Sequence, residues 1–167
     1  MVRFQALEAT LVLAIGRFLH PGNNGVPPQL TMCILYELSF ASLVKVFETI
    51  PIVLKGQDLP FSKLAENNDE TRELISYFAA AAKLCCTAEE RRNQLMHSNW
   101  LQTLMKPGDE SVLRAKMRAR KKKGALSPLV PESVETVSEA IDTINAAMTA
   151  TFSASATLND FLFPSRD

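Results

Sequence analysis

Residues 70–86 read ETRELISYFAAAAKLCC and decide the fold class of this chain. Apolar residues recur there at the three- and four-residue spacing of an amphipathic helix. The preceding residues, Asn67-Asn68-Asp69, are suitable N-caps for such a helix. The segment therefore predicts a helix that turns one apolar stripe toward a core. The stripe would consist of Leu74, Tyr77, Phe78, Ala81, Leu84 and Cys85.

Two further helices are predicted before this segment. The first covers residues 2–19 and ends at Pro21-Gly22, a strong helix terminator. The second covers residues 27–50, because Pro27-Pro28 is tolerated in a first turn and Pro51 indicates the end. The expected core positions are Phe4, Leu7, Leu11, Ala14, Ile15 and Phe18 in the first helix, and Leu30, Ile34, Leu38, Ala41, Val44 and Phe47 in the second.

Three more elements are predicted after this segment. Residues 87–90, Thr-Ala-Glu-Glu, have the spacing of a capping box, which indicates a fourth helix or a kinked continuation. Two short runs, 100–105 and 112–119, flank Pro107-Gly108, and this pattern predicts a β-hairpin. A long last helix is expected over residues 132–158, with a stripe formed by Val134, Val137, Ile141, Ile144, Met148 and Phe152.

Together these elements favour an all-α bundle of four or five helices with a small β-hairpin insertion at about residues 99–120. One domain is expected over residues 1–162, followed by a C-terminal tail, 163–167. A chain of 167 residues can bury one sizeable core without metals or disulfides. Its 47% hydrophobic and 22% charged residues exclude a wholly disordered protein.

Cysteine usage and the N-terminal segment bear on the compartment. Cys85 and Cys86 are adjacent, where a mutual disulfide would be strained, and Cys33 is the third cysteine. This pattern is not typical of a secreted disulfide framework. The first helix is amphipathic rather than a signal peptide, and no apolar run reaches the roughly 18–20 residues of a membrane span. We therefore expect a cytoplasmic protein with no membrane partner.

Candidate site chemistry is concentrated in Arg92-Asn93-Gln94-Leu95-Met96-His97. On a helix, Asn93 and His97 are neighbours at i and i+4, and Glu89 lies one turn before Arg92, so the four share a sector about 140° wide. A guanidinium can bind phosphate in two places, and an imidazole moves a proton near neutral pH. The set therefore suits phosphodiester chemistry, although on spacing alone a solvated helix face with an Arg92–Glu89 ion pair is the favoured interpretation.

The Arg92-Asn93-x-x-x-His97 pattern resembles the signature of HEPN domains (higher eukaryotes and prokaryotes nucleotide-binding). That signature consists of Arg, a polar residue that is often Asn, and a His about four to six residues after the Arg. The setting is similar too, with the pattern late in an inner helix, Ser98 and Trp100 just after it, and a closing helix. The pattern covers six residues, whereas the similar order of helices extends over most of the chain.

The resemblance implies a metal-independent endoribonuclease of the toxin or antiphage-defence type, in which the RNA 2′-hydroxyl attacks the adjacent phosphate. By position, His97 would be the general acid or base and Arg92 would hold the phosphate. Asn93 would orient the phosphate or His97, with Glu89 and Ser98 in support. The resemblance also implies a homodimer whose two motifs meet in one cleft, and an antitoxin or nucleotidyltransferase as a further partner. The alternative is a non-catalytic HEPN-like module that binds a nucleotide or a protein.

A basic segment supplies a second indication of RNA. Residues 114–123 hold seven basic side chains and no acidic one, which leaves 11 basic against 18 acidic residues elsewhere, a net charge of −7. Apolar and basic residues alternate there as in a strand with one basic face. Such a face can contact phosphates, or it can prevent edge-to-edge aggregation of a sheet. Because the Arg92–His97 pattern lies nearby in the sequence, RNA contact is the favoured interpretation of the basic segment. The expected RNA-binding residues are Arg114, Lys116, Arg118, Arg120, Lys121, Lys122 and Lys123.

Other site chemistries have little support in the sequence. Neither His20 nor His97 follows a Glu by three residues, as a ferritin-like metal site requires. No Cys/His cluster suits zinc, and no Gly-rich phosphate loop is present. His20, at the end of the first helix, is interpreted as a cation that complements the helix dipole. We therefore expect no metal and no cofactor.

Overall fold

The computed structural model describes residues 2–20, 27–55, 69–96, 99–101, 112–115, 129–132 and 134–162. These ranges contain five helices: α1 (Val2–Leu19), α2 (Gln29–Tyr36), α3 (Phe40–Lys55), α4 (Asp69–Met96) and α5 (Val134–Leu162). They also contain one antiparallel sheet, ordered β1 (Asn99–Leu101), β2 (Val112–Ala115) and β3 (Leu129–Glu132). The described part of the chain is thus an all-α bundle with a small sheet between α4 and α5 in sequence.

Four long helices form the bundle, and each of them packs on two of the others. Both α1 and α4 pack on α3 and on α5, so α1 and α4 face each other across the core. The short α2 packs on α1. Helices α4 and α5 run antiparallel, because Cys85 bonds to Thr151, whereas Arg92 and Asn145 both reach the first turn of α1.

The interface between α4 and α5 is lined mainly by small side chains. Interior positions of both helices recur at alternating spacings of three and four residues, the pattern of two helices packed along one seam. Small side chains along a seam allow the two backbones to approach closely. The buried residues at these spacings are Thr71, Leu74, Phe78, Ala81, Cys85 and Ala88 in α4, and Ala140, Ile144, Ala147, Thr151, Ala154 and Leu158 in α5; Ala82, next to Ala81, is buried as well.

Larger side chains fill the rest of the core. Phe47 of α3 stacks on Phe78 of α4 with their ring centroids 4.6 Å apart. Phe4 of α1 meets Phe40 of α3 at the same centroid distance, 4.6 Å, with a tilt of 43°. Aromatic pairs at such distances contribute about 0.5–1.5 kcal/mol beyond their burial. The predicted core face of α1 is confirmed, since Phe4, Leu7, Leu11, Ala14 and Ile15 are buried and Phe18 is half-buried.

The prediction of one helix over residues 27–50 is wrong, because the helix is interrupted between α2 and α3. Ser39 caps α3: its Oγ accepts a hydrogen bond from the backbone N–H of Ser42 at 3.2 Å. The Ser39 carbonyl accepts another from Leu43 at 3.0 Å. Helix α3 then continues through Pro51, the predicted terminator, to Lys55. The proline is fully buried, and this packing offsets the lost helical hydrogen bond.

The helix break also changes which residues of this segment are buried. Leu30 and Ile34, predicted as core, are 72% and 58% exposed. Helix α2 instead packs through Leu35. Pro27, two residues before α2, lies against Gly16 of α1, where an added Cβ would lie 2.6 Å from the Pro27 ring. Ala41 is exposed as well. Val44 and Phe47, which follow the break, are buried as predicted.

Some predicted core positions of α4 and α5 are wrong as well. Tyr77, Val137, Ile141 and Phe152 are exposed, Phe152 by 63%. The physical reason is that alanine and threonine hold many of the interior positions, whereas an apolar pattern is weighted toward the larger residues. Helix α4 is also continuous through Thr87, whose hydroxyl donates to the Lys83 carbonyl at 3.0 Å, so the capping box does not form.

The sheet has a third strand, β3, in addition to the two strands predicted from the sequence. Strand β2 is central: Arg114 lies opposite Trp100 of β1 and Val130 of β3. Strand β3 includes Pro131, which has no N–H to donate and is suited to an edge strand. The predicted turn and strand ends, 102–111 and 116–120, and the tail, 163–167, lie outside the described residues.

The last helix is close to its prediction, starting at Val134 and ending at Leu162 rather than spanning 132–158. Its length does not make it a membrane span. Within the described residues, no helix combines the length and apolar character that crossing a bilayer requires.

The seam between α4 and α5 leads to a matched test of stability. Ala147 is buried in the seam, whereas its neighbour Ala146 is exposed. We expect Ala147→Leu to lower the free energy of unfolding by about 1–3 kcal/mol, because the extra atoms separate the two helices. Ala146→Leu should change it by less than about 0.5 kcal/mol. Urea unfolding measures both, and equal effects would contradict a closely packed seam.

Candidate functional site

Arg92 occupies an interior position of α4. The interior residues recur at alternating spacings of three and four up to Ala88, and Arg92 follows at the next spacing of four. The side chain is half-buried near the C-terminal end of the helix. Because an unpaired charge removed from water is costly, a guanidinium at this position requires partners.

Two contacts hold the Arg92 guanidinium. Its Cζ lies 5.2 Å from the centroid of the Phe4 ring, which belongs to the helix on the opposite side of the core. Its Nη1 donates a hydrogen bond to Oδ1 of Asn93 at 2.8 Å. The ring lies within the distance of a cation–π contact, and the amide takes one of the five N–H donors. The charged group is therefore held by contacts with two different elements of the side-chain packing, its neighbour Asn93 and the ring of Phe4.

The structure brings two of the predicted site residues into contact, Arg92 and Asn93. Glu89 is half-buried, but among the described residues Arg92 contacts Asn93 and Phe4 rather than this carboxylate. The expected Arg92–Glu89 ion pair is therefore not what holds the guanidinium. His97 and Ser98 follow Met96, the last residue of α4, and lie outside the described residues.

The predicted RNA-binding residues are described only in part. The backbone of Arg114 lies in the central strand β2. The other six lie outside the described residues: Lys116, Arg118, Arg120, Lys121, Lys122 and Lys123. Their predicted contact with RNA stays a prediction.

The contact between Phe4 and Arg92 was not predicted from the sequence. A phenylalanine in the first turn of an amphipathic helix is expected in the core, and no sequence signal relates it to an arginine far along the chain. The other histidine, His20, places Nε2 2.7 Å from the Thr31 hydroxyl and so joins the end of α1 to α2. This contact agrees with a structural role for His20.

Cys86 is exposed on α4, within the electrostatic influence of three carboxylates. Partial burial raises the pKa of its thiol, and the negative charges of Glu89, Glu48 and Glu90 raise the pKa further. Burial also raises the pKa of the neighbouring Cys85, against the opposing effect of its hydrogen bond with Thr151. Among the described residues, no three acidic, cysteine or histidine side chains form a group that could hold a metal ion.

The charge around Cys86 leads to a prediction about its reactivity. Replacing Glu89 with Gln removes one negative charge, so the pKa of the Cys86 thiol falls and more thiolate is present at pH 8. We expect alkylation by iodoacetamide, in a Cys33→Ser background, to become about two- to fivefold faster. Glu8→Gln on α1 is the control. An unchanged rate for Glu89→Gln would show that this carboxylate does not act on the thiol.

Comparison with known proteins does not assign this site. No protein-family model matches the chain. Neither a curated protein nor a solved structure matches it significantly. The functional interpretation therefore depends on the residues themselves and on the geometry of Arg92, Asn93 and Phe4.

Proposed function

We propose that this chain is an HEPN-like, metal-independent endoribonuclease with Arg92, Asn93 and His97 at its centre. The observation that carries the proposal is a guanidinium at an interior position of the bundle, held by an amide and an aromatic ring five residues before His97. Burial of a cation is costly, so a guanidinium kept at a half-buried position needs groups that hold it there. A pre-oriented guanidinium is also the group best suited to bidentate contact with phosphate.

The proposed reaction needs no group beyond the side chains of two copies of this chain. The RNA 2′-oxygen forms a bond to the adjacent phosphorus, and the bond from phosphorus to the 5′-oxygen breaks. One imidazole removes the 2′-hydroxyl proton and another delivers a proton to the departing 5′-oxygen. Each chain contributes one His97, so a homodimer would supply both. Arg92 would stabilise the negative charge that develops on the phosphate oxygens.

The basic segment 114–123 supports the same proposal. It follows the motif in the connection between α4 and α5, and it begins in the central strand of the sheet. A row of basic side chains would contact the RNA backbone without reading its sequence. Because such contacts release counterions, RNA affinity would fall as the salt concentration rises.

One observation favours a non-catalytic module as the second candidate. Both described contacts of Arg92, to Asn93 and to Phe4, lie within the chain and would also suit an arginine that only closes the end of the core. Such a module would bind a nucleotide or a protein partner, such as an antitoxin or a nucleotidyltransferase. It would leave RNA intact.

The histidines provide the decisive test of cleavage. We expect the purified chain to cleave RNA in EDTA and to leave 2′,3′-cyclic phosphate and 5′-hydroxyl ends. His97→Ala should lower the rate by about 10²- to 10⁴-fold, the usual contribution of general acid–base catalysis. Arg92→Lys should also lower it, because a lysine keeps the charge but loses the planar fork. His20→Gln changes the only other histidine, which contacts Thr31, and should retain the activity.

Three results would contradict the ribonuclease. Full cleavage by His97→Ala would remove the assigned role of this residue, and loss of activity in EDTA would indicate a metal. Intact RNA together with saturable binding of a nucleotide or protein would support the non-catalytic module. Circular dichroism of each variant checks that the helices remain folded.

A further inference from the structure

We infer that Phe4 is a positioning residue of this site and that its ring holds the Arg92 guanidinium in the orientation that phosphate binding requires. The inference rests on the proposed function for the identity of the ligand, an RNA phosphate. The orientation of Arg92 by Phe4 can be measured separately from cleavage. Phe4 touches no reacting atom and acts only through Arg92.

The Phe4 ring is a rigid support. The residue is only 8% exposed, and its ring packs on Phe40 of α3 with the centroids 4.6 Å apart. The adjacent residue, Arg3, donates a hydrogen bond from Nη1 to Oδ1 of Asn145 on α5 at 3.0 Å. The first turn of α1 is therefore held from α3 and from α5. A ring fixed in this way can determine where a flexible arginine side chain lies.

Contact with the ring through one face would leave the edge of the guanidinium available for an anion. A guanidinium packs on an aromatic ring through a face, whereas its N–H donors lie in its own plane. Asn93 takes a hydrogen bond from Nη1 and so limits rotation within that plane. The Phe4 ring would restrain tilting of the guanidinium plane, and the Asn93 amide would restrain rotation within that plane. Both contacts are therefore needed to hold the guanidinium in one orientation. An aliphatic side chain at position 4 would fill the space without attracting the cation.

The first experiment measures binding without cleavage. The probe is a 2′-O-methyl RNA oligonucleotide, whose methylated 2′-oxygen cannot attack the phosphate. We expect Phe4→Leu to weaken its binding by about 5- to 30-fold, the range of a partly desolvated cation–π contact. Phe4→Tyr keeps the ring and should restore most of the affinity. Phe78→Leu is the matched control: it makes the same change in the same core, about 21 Å along α4 from Arg92.

A double variant separates positioning from general stability. If Phe4 acts through Arg92, Phe4→Leu causes no further loss of affinity in an Arg92→Ala background. The inference is overturned if the two losses multiply, or if Phe4→Leu weakens binding no more than Phe78→Leu does. For the cleaved RNA, a rise in KM that matches this loss of affinity would agree with a lost phosphate contact.

A cycle of unfolding measurements keeps this inference distinct from the proposed function. Urea unfolding of Phe4→Leu, Arg92→Met and the double variant gives their coupling without any RNA. We expect a coupling of about threefold or more in the unfolding equilibrium constant. No coupling would overturn the inference even if the protein cleaves RNA. If the wild type neither binds nor cleaves RNA, the proposed function fails, and a measured coupling would still show that Phe4 orients Arg92.

Discussion

The close packing of α4 on α5 is the constraint on which the rest of the structure depends. Alanine, cysteine and threonine hold most of the middle seam positions, from Ala81 to Ala88 and from Ala147 to Ala154. Within this seam the Cys85 thiol lies 3.4 Å from the Thr151 hydroxyl, which itself donates to the Ala147 carbonyl. The buried polar groups are thus satisfied, and the described part of the chain contains no buried side-chain nitrogen or oxygen without a partner. The two longest helices can therefore form a single unit.

This packing determines where the candidate site can lie. Since α4 keeps one face toward the core over its whole length, the periodicity that buries Ala88 also turns Arg92 inward. Helix α1, on the opposite side of the core, then supplies the Phe4 ring that contacts the charged group. The cation lies near the end of the core, where a half-buried group can be held by the protein and still reach a ligand. The location of Arg92 in the candidate site thus follows from its position in the periodic pattern of α4 and does not require an irregular loop.

The candidate site directly precedes the connection between α4 and α5 in the sequence. The motif ends where the strands begin, and the densest positive charge of the chain follows in residues 114–123, while the rest carries a net charge of −7. A localised basic segment on an otherwise acidic protein is suited to a polyanionic partner. A guanidinium that is oriented before the ligand arrives contributes most to a phosphate whose charge grows during the reaction. Orientation and long-range attraction would then come from different parts of the chain.

Sequence periodicity alone determined the existence of α1, α4 and α5, the buried face of α1 and the position of Arg92 and Asn93 on one helix. These are local properties, since each follows from residues within a few turns of one another. The tertiary structure decided the break at Ser39, the exposure of Leu30 and Ile34, the third strand and the pairing of Arg92 with Phe4. These features depend on packing between segments that are distant in the sequence. The free energy of packing is set by spatial neighbours, and the sequence alone does not show which residues become neighbours.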